Sequence, residues 1–249
     1  ALKQVQTALA TADPSVIESA SLAGKSVALQ GLGTLEYLLY GTGNEAIVAA
    51  TPEGKHRCAF AQSVARNIFN IAENLSADWA SETGFAATFV DFGPTNPRFR
   101  NAREVTVHMF GTVVNGFDWV KDVKLKPVIG DTPEAAKPKR AGFWRSEQTA
   151  DAIAANLRGL QDYLNASGFL SLLSEDQSFY SRSIEFEFGN AARALSEITK
   201  PPLEAFASEP DRGKLTYTLI VVDSLRDMMV GAVGPSLGVQ SGFSVLDGD

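Results

Sequence analysis

Sulfur and nitrogen metal donors are scarce in this chain: among 249 residues there are one cysteine, Cys58, and two histidines, His56 and His108. A single cysteine excludes an internal disulfide. Catalytic zinc normally takes three protein ligands and a water. His56 and Cys58, two apart, diverge on a helix and cannot share a metal, so a zinc site would have to join one distant histidine to carboxylates. Beside Lys55 and Arg57, His56 is expected to be solvated near a helix start. His108, next to Val105 and Met109, is expected at the core or its boundary.

Long apolar runs are missing too. Stretches such as Leu219 to Val222 fall far short of the roughly 20 residues that span a bilayer, which excludes a transmembrane helix. Blocks of like charge are also missing. The formal net charge is −7 with both signs interleaved, so nothing is arranged to neutralise a phosphate backbone, and nucleic acid is excluded as a partner. There is no phosphate-binding glycine loop, Cys-x-x-Cys pair, haem-attachment sequence or EF-hand loop. A literal Gly-x-Ser-x-Gly at Gly234 to Gly238 lacks the preceding strand and the downstream histidine of a nucleophile elbow, and reads as a turn ending a helix.

What the sequence has in quantity is helical periodicity. Cys58, Ala61, Val64, Ile68, Ile71, Leu75 and Trp79 recur at three-and-four spacing, one stripe along a long helix. Four more long helices follow the same rule, on Val105 to Val120, Ile153 to Leu164, Ile184 to Ile198 and Leu215 to Met229. Shorter helical stretches precede them near Leu2 to Ala10 and Val16 to Ser21, with one from about Lys25 to Tyr40. No period-two strand is evident. The expected fold is all-α, two packed up-and-down four-helix bundles. The longest irregular stretch, Lys126 to Trp144 with Pro127, Gly130, Pro133 and Pro138, places the junction between them, giving bundles over 1–130 and 131–249. It would serve equally as a long crossover inside one bundle.

The most informative segment is Gly31-Leu32-Gly33-Thr34-Leu35-Glu36-Tyr37-Leu38-Leu39-Tyr40-Gly41. Glycine inside a helix costs about 1 kcal/mol against alanine, so two glycines one turn before a carboxylate imply a kink or a close approach to the backbone. At these residues the chain resembles the imelysin-like family (peptidase M75), whose signature helix reads Gly-x-His-x-x-Glu followed by an aromatic and leucines. Gly31, Glu36 and the run from Tyr37 to Gly41 match it, whereas the histidine position is Gly33. The likeness continues through Arg57-Cys58, the helix ending at Trp79, Phe143-Trp144-Arg145-Ser146, Gly242-Phe243 and Leu246 to Asp249. Members of that family carry a further N-terminal helical stretch, so residues upstream of Ala1 are expected.

The resemblance implies two four-helix bundles, an exported setting (periplasmic or outer-membrane-attached, as a lipoprotein would be), an association with iron uptake, and a disputed peptidase activity. Histidine and glutamate three apart share a helix face and could furnish two metal ligands, but Gly33 supplies none. We therefore expect a non-catalytic protein that binds a small ligand or metal ion in a cleft near Gly31, Gly33 and Glu36, with a protein of an iron-uptake system as a further partner. Glu36 is the one metal-ligand candidate there. Iron or another hard cation stays open as ligand and zinc is disfavoured, because carboxylates suit hard cations. Asp118 and Asp122 share a helix face and could offer oxygens, although Lys121 and Lys124 favour a solvated charged face. Glu185 and Glu187, two apart, diverge. The alternatives are an M75-type metallopeptidase using Glu36 and a helical protein-interaction module.

Overall fold

The computed structural model describes residues 2–80 and 82–239, all helices, turns and loops with no strand among them. The chain divides into two compact units, residues 1–91 and 92–249. The family-like residues Gly242 to Asp249 lie outside the described residues. The expected boundary at 130 and the observed one differ for a packing reason. Leu125, Val128, Ile129 and Ala141, from the stretch expected as a junction, are all buried in the second unit's core. The break falls instead just before Gly93-Pro94, two residues that cannot propagate a helix.

In the first unit, α1 (Leu2–Ala10), α2 (Ser19–Ala23), α3 (Leu32–Tyr40) and α4 (Glu45–Val48) gather on the long α5 (Pro52–Ala80), and a short α6 (Ala87–Val90) follows. Pro52 opens α5 where no intrahelical N–H is needed, and Thr51 Oγ1 accepts from the Gly54 N–H at 3.1 Å. Gly54 is where α4 crosses: a Cβ there would fall 1.8 Å from the Ala46 carbonyl oxygen. The core is Val5, Leu22, Leu38, Phe60 and Val64 with their neighbours. The predicted stripe of α5 is buried only as far as Ile68. Ile71, Leu75 and Trp79 are exposed, and Trp79 packs on Phe85 and Phe89, with centroids 5.1 and 5.7 Å away.

The second unit is a four-helix bundle of α7 (Ala102–Asp118), α9 (Thr149–Ser167), α10 (Phe179–Ser196) and α12 (Asp211–Met228), with α8 (Lys126–Ile129), α11 (Pro202–Ala205) and α13 (Gly234–Ser236) as short pieces. Asn101 caps α7 by accepting from the Glu104 N–H at 3.1 Å, while the Glu104 carboxylate accepts from the Arg100 N–H at 2.7 Å, a variant of the capping box. Gly168, left-handed at φ 70°, ends α9. Both α7 and α12 continue into π-helical turns, Trp119–Leu125 and Met229–Val233. The Gly-x-Ser-x-Gly segment is the helix-ending turn expected of it. Gly238 has a φ of 66°, and Ser236 Oγ lies 2.8 Å from the Ala232 carbonyl it can donate to.

Asp211 and Arg212 hold this bundle's loops. The fully buried Asp211 carboxylate accepts the N–H groups of Thr199 and Lys200 at 3.1 and 2.9 Å and pairs with Lys214 at 3.1 Å. Arg212, also buried, donates to the carbonyls of Ile129, Phe206 and Gly130 at 2.7 to 2.9 Å. Burial pushes the Asp211 carboxyl up, but the Lys200 N–H, the Lys214 ammonium and the Thr199 N–H outweigh it and hold it below the ordinary 3.8. A carboxylate depressed in the folded state contributes stability that is complete above its unfolded pKa and lost as pH falls through the folded one. Asp211→Asn should therefore be less stable than the native chain at pH 7, with the gap closing below about pH 4. Urea midpoints at pH 7 and pH 3 check this, and a gap that widens on acidification would contradict it.

Candidate functional site

The segment around Glu36 is built from short pieces fixed at both ends. On the N-terminal side, the buried Asn67 of α5 donates to Gln30 Oε1 at 3.1 Å, Gln30 donates to the Lys25 carbonyl at 2.5 Å, and Thr34 Oγ1 donates to the Ala28 carbonyl at 2.7 Å. Gly31 is the residue before the helix, at φ −94° and ψ 177°. The expected single helix from Lys25 to Tyr40 is thus a 3-10 turn, Val27–Leu29, then α3. The two glycines neither kink a helix nor admit a close neighbour: α3 starts between them. A Cβ on Gly33 would meet no described atom within 4 Å.

The C-terminal end of α3 is closed by one side chain. The buried Arg57 guanidinium donates to four main-chain carbonyls: Nε to Leu38 at 2.6 Å, Nη2 to Tyr37 and Gly41 at 2.7 and 3.1 Å, and Nη1 to Thr42 at 2.9 Å. It also sits 5.4 Å from the Tyr37 ring centroid. Helix ends leave carbonyls unpaired and partially negative, so a buried cation is well placed there. Burial nonetheless lowers the Arg57 pKa from its ordinary value. Gly41 is required by the same tight closure, since a Cβ would fall 2.4 Å from the Tyr37 carbonyl oxygen.

Between these anchors Glu36 is 8% exposed, on the inward face with Thr34, Tyr37 and Leu38. Gln6 donates to the Tyr37 hydroxyl at 3.3 Å. Gly33, one turn before Glu36 and on the same side of the helix, is exposed. The structure thus sets Gly33 and Glu36 on one short helix, with Gly31 as the residue that precedes it.

The other donors are dispersed. His108 is exposed rather than at the core and rests against Phe99, with centroids 5.3 Å apart. His56 is half-buried, not solvated, and its Nε2 has no partner. Asp118 is buried and engages Arg226, while Asp122 is exposed and lies 4.0 Å from the Lys126 ammonium. Lys121 pairs with Asp223 at 2.5 Å, and that carboxylate holds its ammonium pKa above the ordinary value. Glu185 is exposed, and Glu187 accepts from Asn190 at 3.2 Å. Among the described residues no three of histidine, cysteine, aspartate and glutamate converge as a metal site requires. No described helix is long and apolar enough to cross a membrane.

An all-α chain whose Gly-x-Gly-x-x-Glu segment opens a short helix is the class of protein these observations define. A family model described as imelysin, peptidase M75, matches residues 2–228, and the chain belongs to that family. No curated protein and no solved structure matches it.

In the sequence Arg57 is an arginine bordering the apolar stripe of α5, the same signal that a solvated arginine would give. Arg57→Ala should cost about 3 to 5 kcal/mol, because it strands several carbonyls in the interior. Chemical denaturation measures this, and a loss under about 1 kcal/mol would show that water replaces the guanidinium.

Proposed function

We propose that this imelysin-family chain is exported, to the periplasm or attached to the outer membrane, and is non-catalytic, serving iron uptake by binding a small ligand or metal ion beside Glu36. The observation that carries the reading is at residue 33. The space there is open and the backbone is helical, so a histidine could be accommodated. What Gly33 removes is a donor atom, with no packing need for glycine in exchange. The described residues do not fit a catalytic zinc: α3 offers one carboxylate, and neither histidine shares its helix. A peptidase also needs an activated water beside a general base and groups that stabilise an oxyanion. Glu36 could be a base, but the remaining members of such a constellation have no counterparts on α3.

What does support binding is the framing of Glu36. A carboxylate held on a helix whose two ends are locked is a preorganised acceptor, and preorganisation lowers the ordering cost of a ligand. Oxygen donors suit ferric iron and other hard cations.

The test is metal analysis of protein exposed to zinc and to iron, followed by a peptide-cleavage assay on the native chain, Glu36→Gln and Gly33→His. We expect no stoichiometric zinc and no cleavage by the native chain, iron or ligand binding weakened by Glu36→Gln, and a Gly33→His variant that folds with an unchanged thermal midpoint. Stoichiometric zinc together with cleavage abolished by Glu36→Gln would replace this proposal with a metallopeptidase.

A further inference from the structure

The first unit carries a second feature, away from α3. One face of α5 and the chain leading into α2 enclose an open groove of about 610 Å³, walled by Ile17, Ser19, Gln62, Ser63, Arg66 and Phe69, with Ala59 and Ala65 as its small residues. That is the size range of small-molecule sites. No acidic residue lines it, so its one formal charge is the Arg66 guanidinium, on a chain whose net charge is −7.

One of its walls lacks the partner that its chemistry calls for, and its cation has no anionic partner. Ser63 is 4% exposed and its Oγ is buried without any hydrogen-bond partner. A serine inside a helix ordinarily bonds the carbonyl four residues back, and this one does not. Arg66 is exposed to solvent and makes no ion pair with a described carboxylate. Its guanidinium lies over the Phe69 ring, 5.9 Å from the centroid. Phe69 itself is 52% exposed and Ile17 is 40% exposed, so apolar surface borders the groove on two sides.

We propose that this groove binds a small organic acid: a single carboxylate on a flat apolar body. The guanidinium presents paired N–H groups with the planar geometry a carboxylate matches, the Ser63 hydroxyl, buried and unpartnered in the free protein, turns about χ1 to donate a further hydrogen bond, and Phe69 and Ile17 cover the body of the ligand. A carboxylate completes the bonding of Ser63 and neutralises Arg66, whereas a cation would be repelled by the guanidinium. The apolar walls give a bare inorganic anion nothing to displace water from. This site is independent of Glu36 and stands or falls separately from the function proposed there.

Isothermal titration with benzoate tests it, with benzyl alcohol as the uncharged counterpart and inorganic phosphate as the anion without an apolar body. We expect saturable benzoate binding, and affinities lower by about tenfold or more for both comparison compounds and for Arg66→Ala, since a charge-assisted bond to an ionised group is among the stronger hydrogen bonds. Ser63→Ala should weaken benzoate about two- to tenfold while leaving the thermal midpoint of the free protein unchanged or raised, because the hydroxyl has no partner to lose. Absence of saturable benzoate binding, binding equal in Arg66→Ala, phosphate binding as tightly as benzoate, or a lowered midpoint in ligand-free Ser63→Ala would each overturn the proposal.

Discussion

Helices that end inside a core leave carbonyls that must be paired, and in this chain two buried arginines meet that requirement. Water cannot reach such carbonyls, and an unpaired buried polar group costs about as much as a lost hydrogen bond. Arg57 serves the end of α3 in the first unit, and Arg212 serves the end of α8 and the residue after α11 in the second. Neither arginine is buried to meet a carboxylate; the partners are main-chain dipoles. This is why short helices such as α3 and α8, too short to persist alone in water, hold fixed positions. Asp211 is the complementary device, an anion collecting N–H groups from the loop after α10.

The long helices were legible because each keeps an apolar stripe at three-and-four spacing, and α5, α7, α9, α10 and α12 follow those stripes. The short elements were not. From Lys25 to Tyr40 the apolar spacing is continuous across Gly31, but the backbone turns extended at Gly31, where Gln30 and Thr34 pair with nearby carbonyls. The boundary between units was misplaced because the density of prolines from Lys126 to Trp144 marks irregular backbone, not separation from a core. Val128, Ile129 and Ala141 are irregular or briefly helical and still buried. Period reports which face is apolar; it does not report how much of that face finds a partner. Beyond Ile68 the α5 stripe continues without being buried.

Side chains at the candidate site divide along the same line. Glu36 was conspicuous in sequence through its glycines, and its burial follows from the inward face of α3. Arg57 was inconspicuous, since what it does depends on carbonyls 15 to 20 residues away in the chain. Asp118 was misjudged in a related way. Neighbouring lysines suggested a solvated face, yet the residue that neutralises it, Arg226, comes from another helix 108 positions on.

The structure of the Glu36 segment does not depend on residue 33. Its N-terminal side is fixed by Asn67, Gln30 and Thr34 and its C-terminal side by Arg57, while a Cβ at position 33 would meet no described atom within 4 Å. A side chain there could be added without disturbing how α3 packs, and a histidine would change the donor set beside Glu36. Tyr37 and Gly41 have structural roles in this segment, since Tyr37 packs under Arg57 and Gly41 leaves no room for a side chain. Likeness in this segment testifies to a shared scaffold, and it is the donor atoms present on that scaffold that decide which chemistry it can perform.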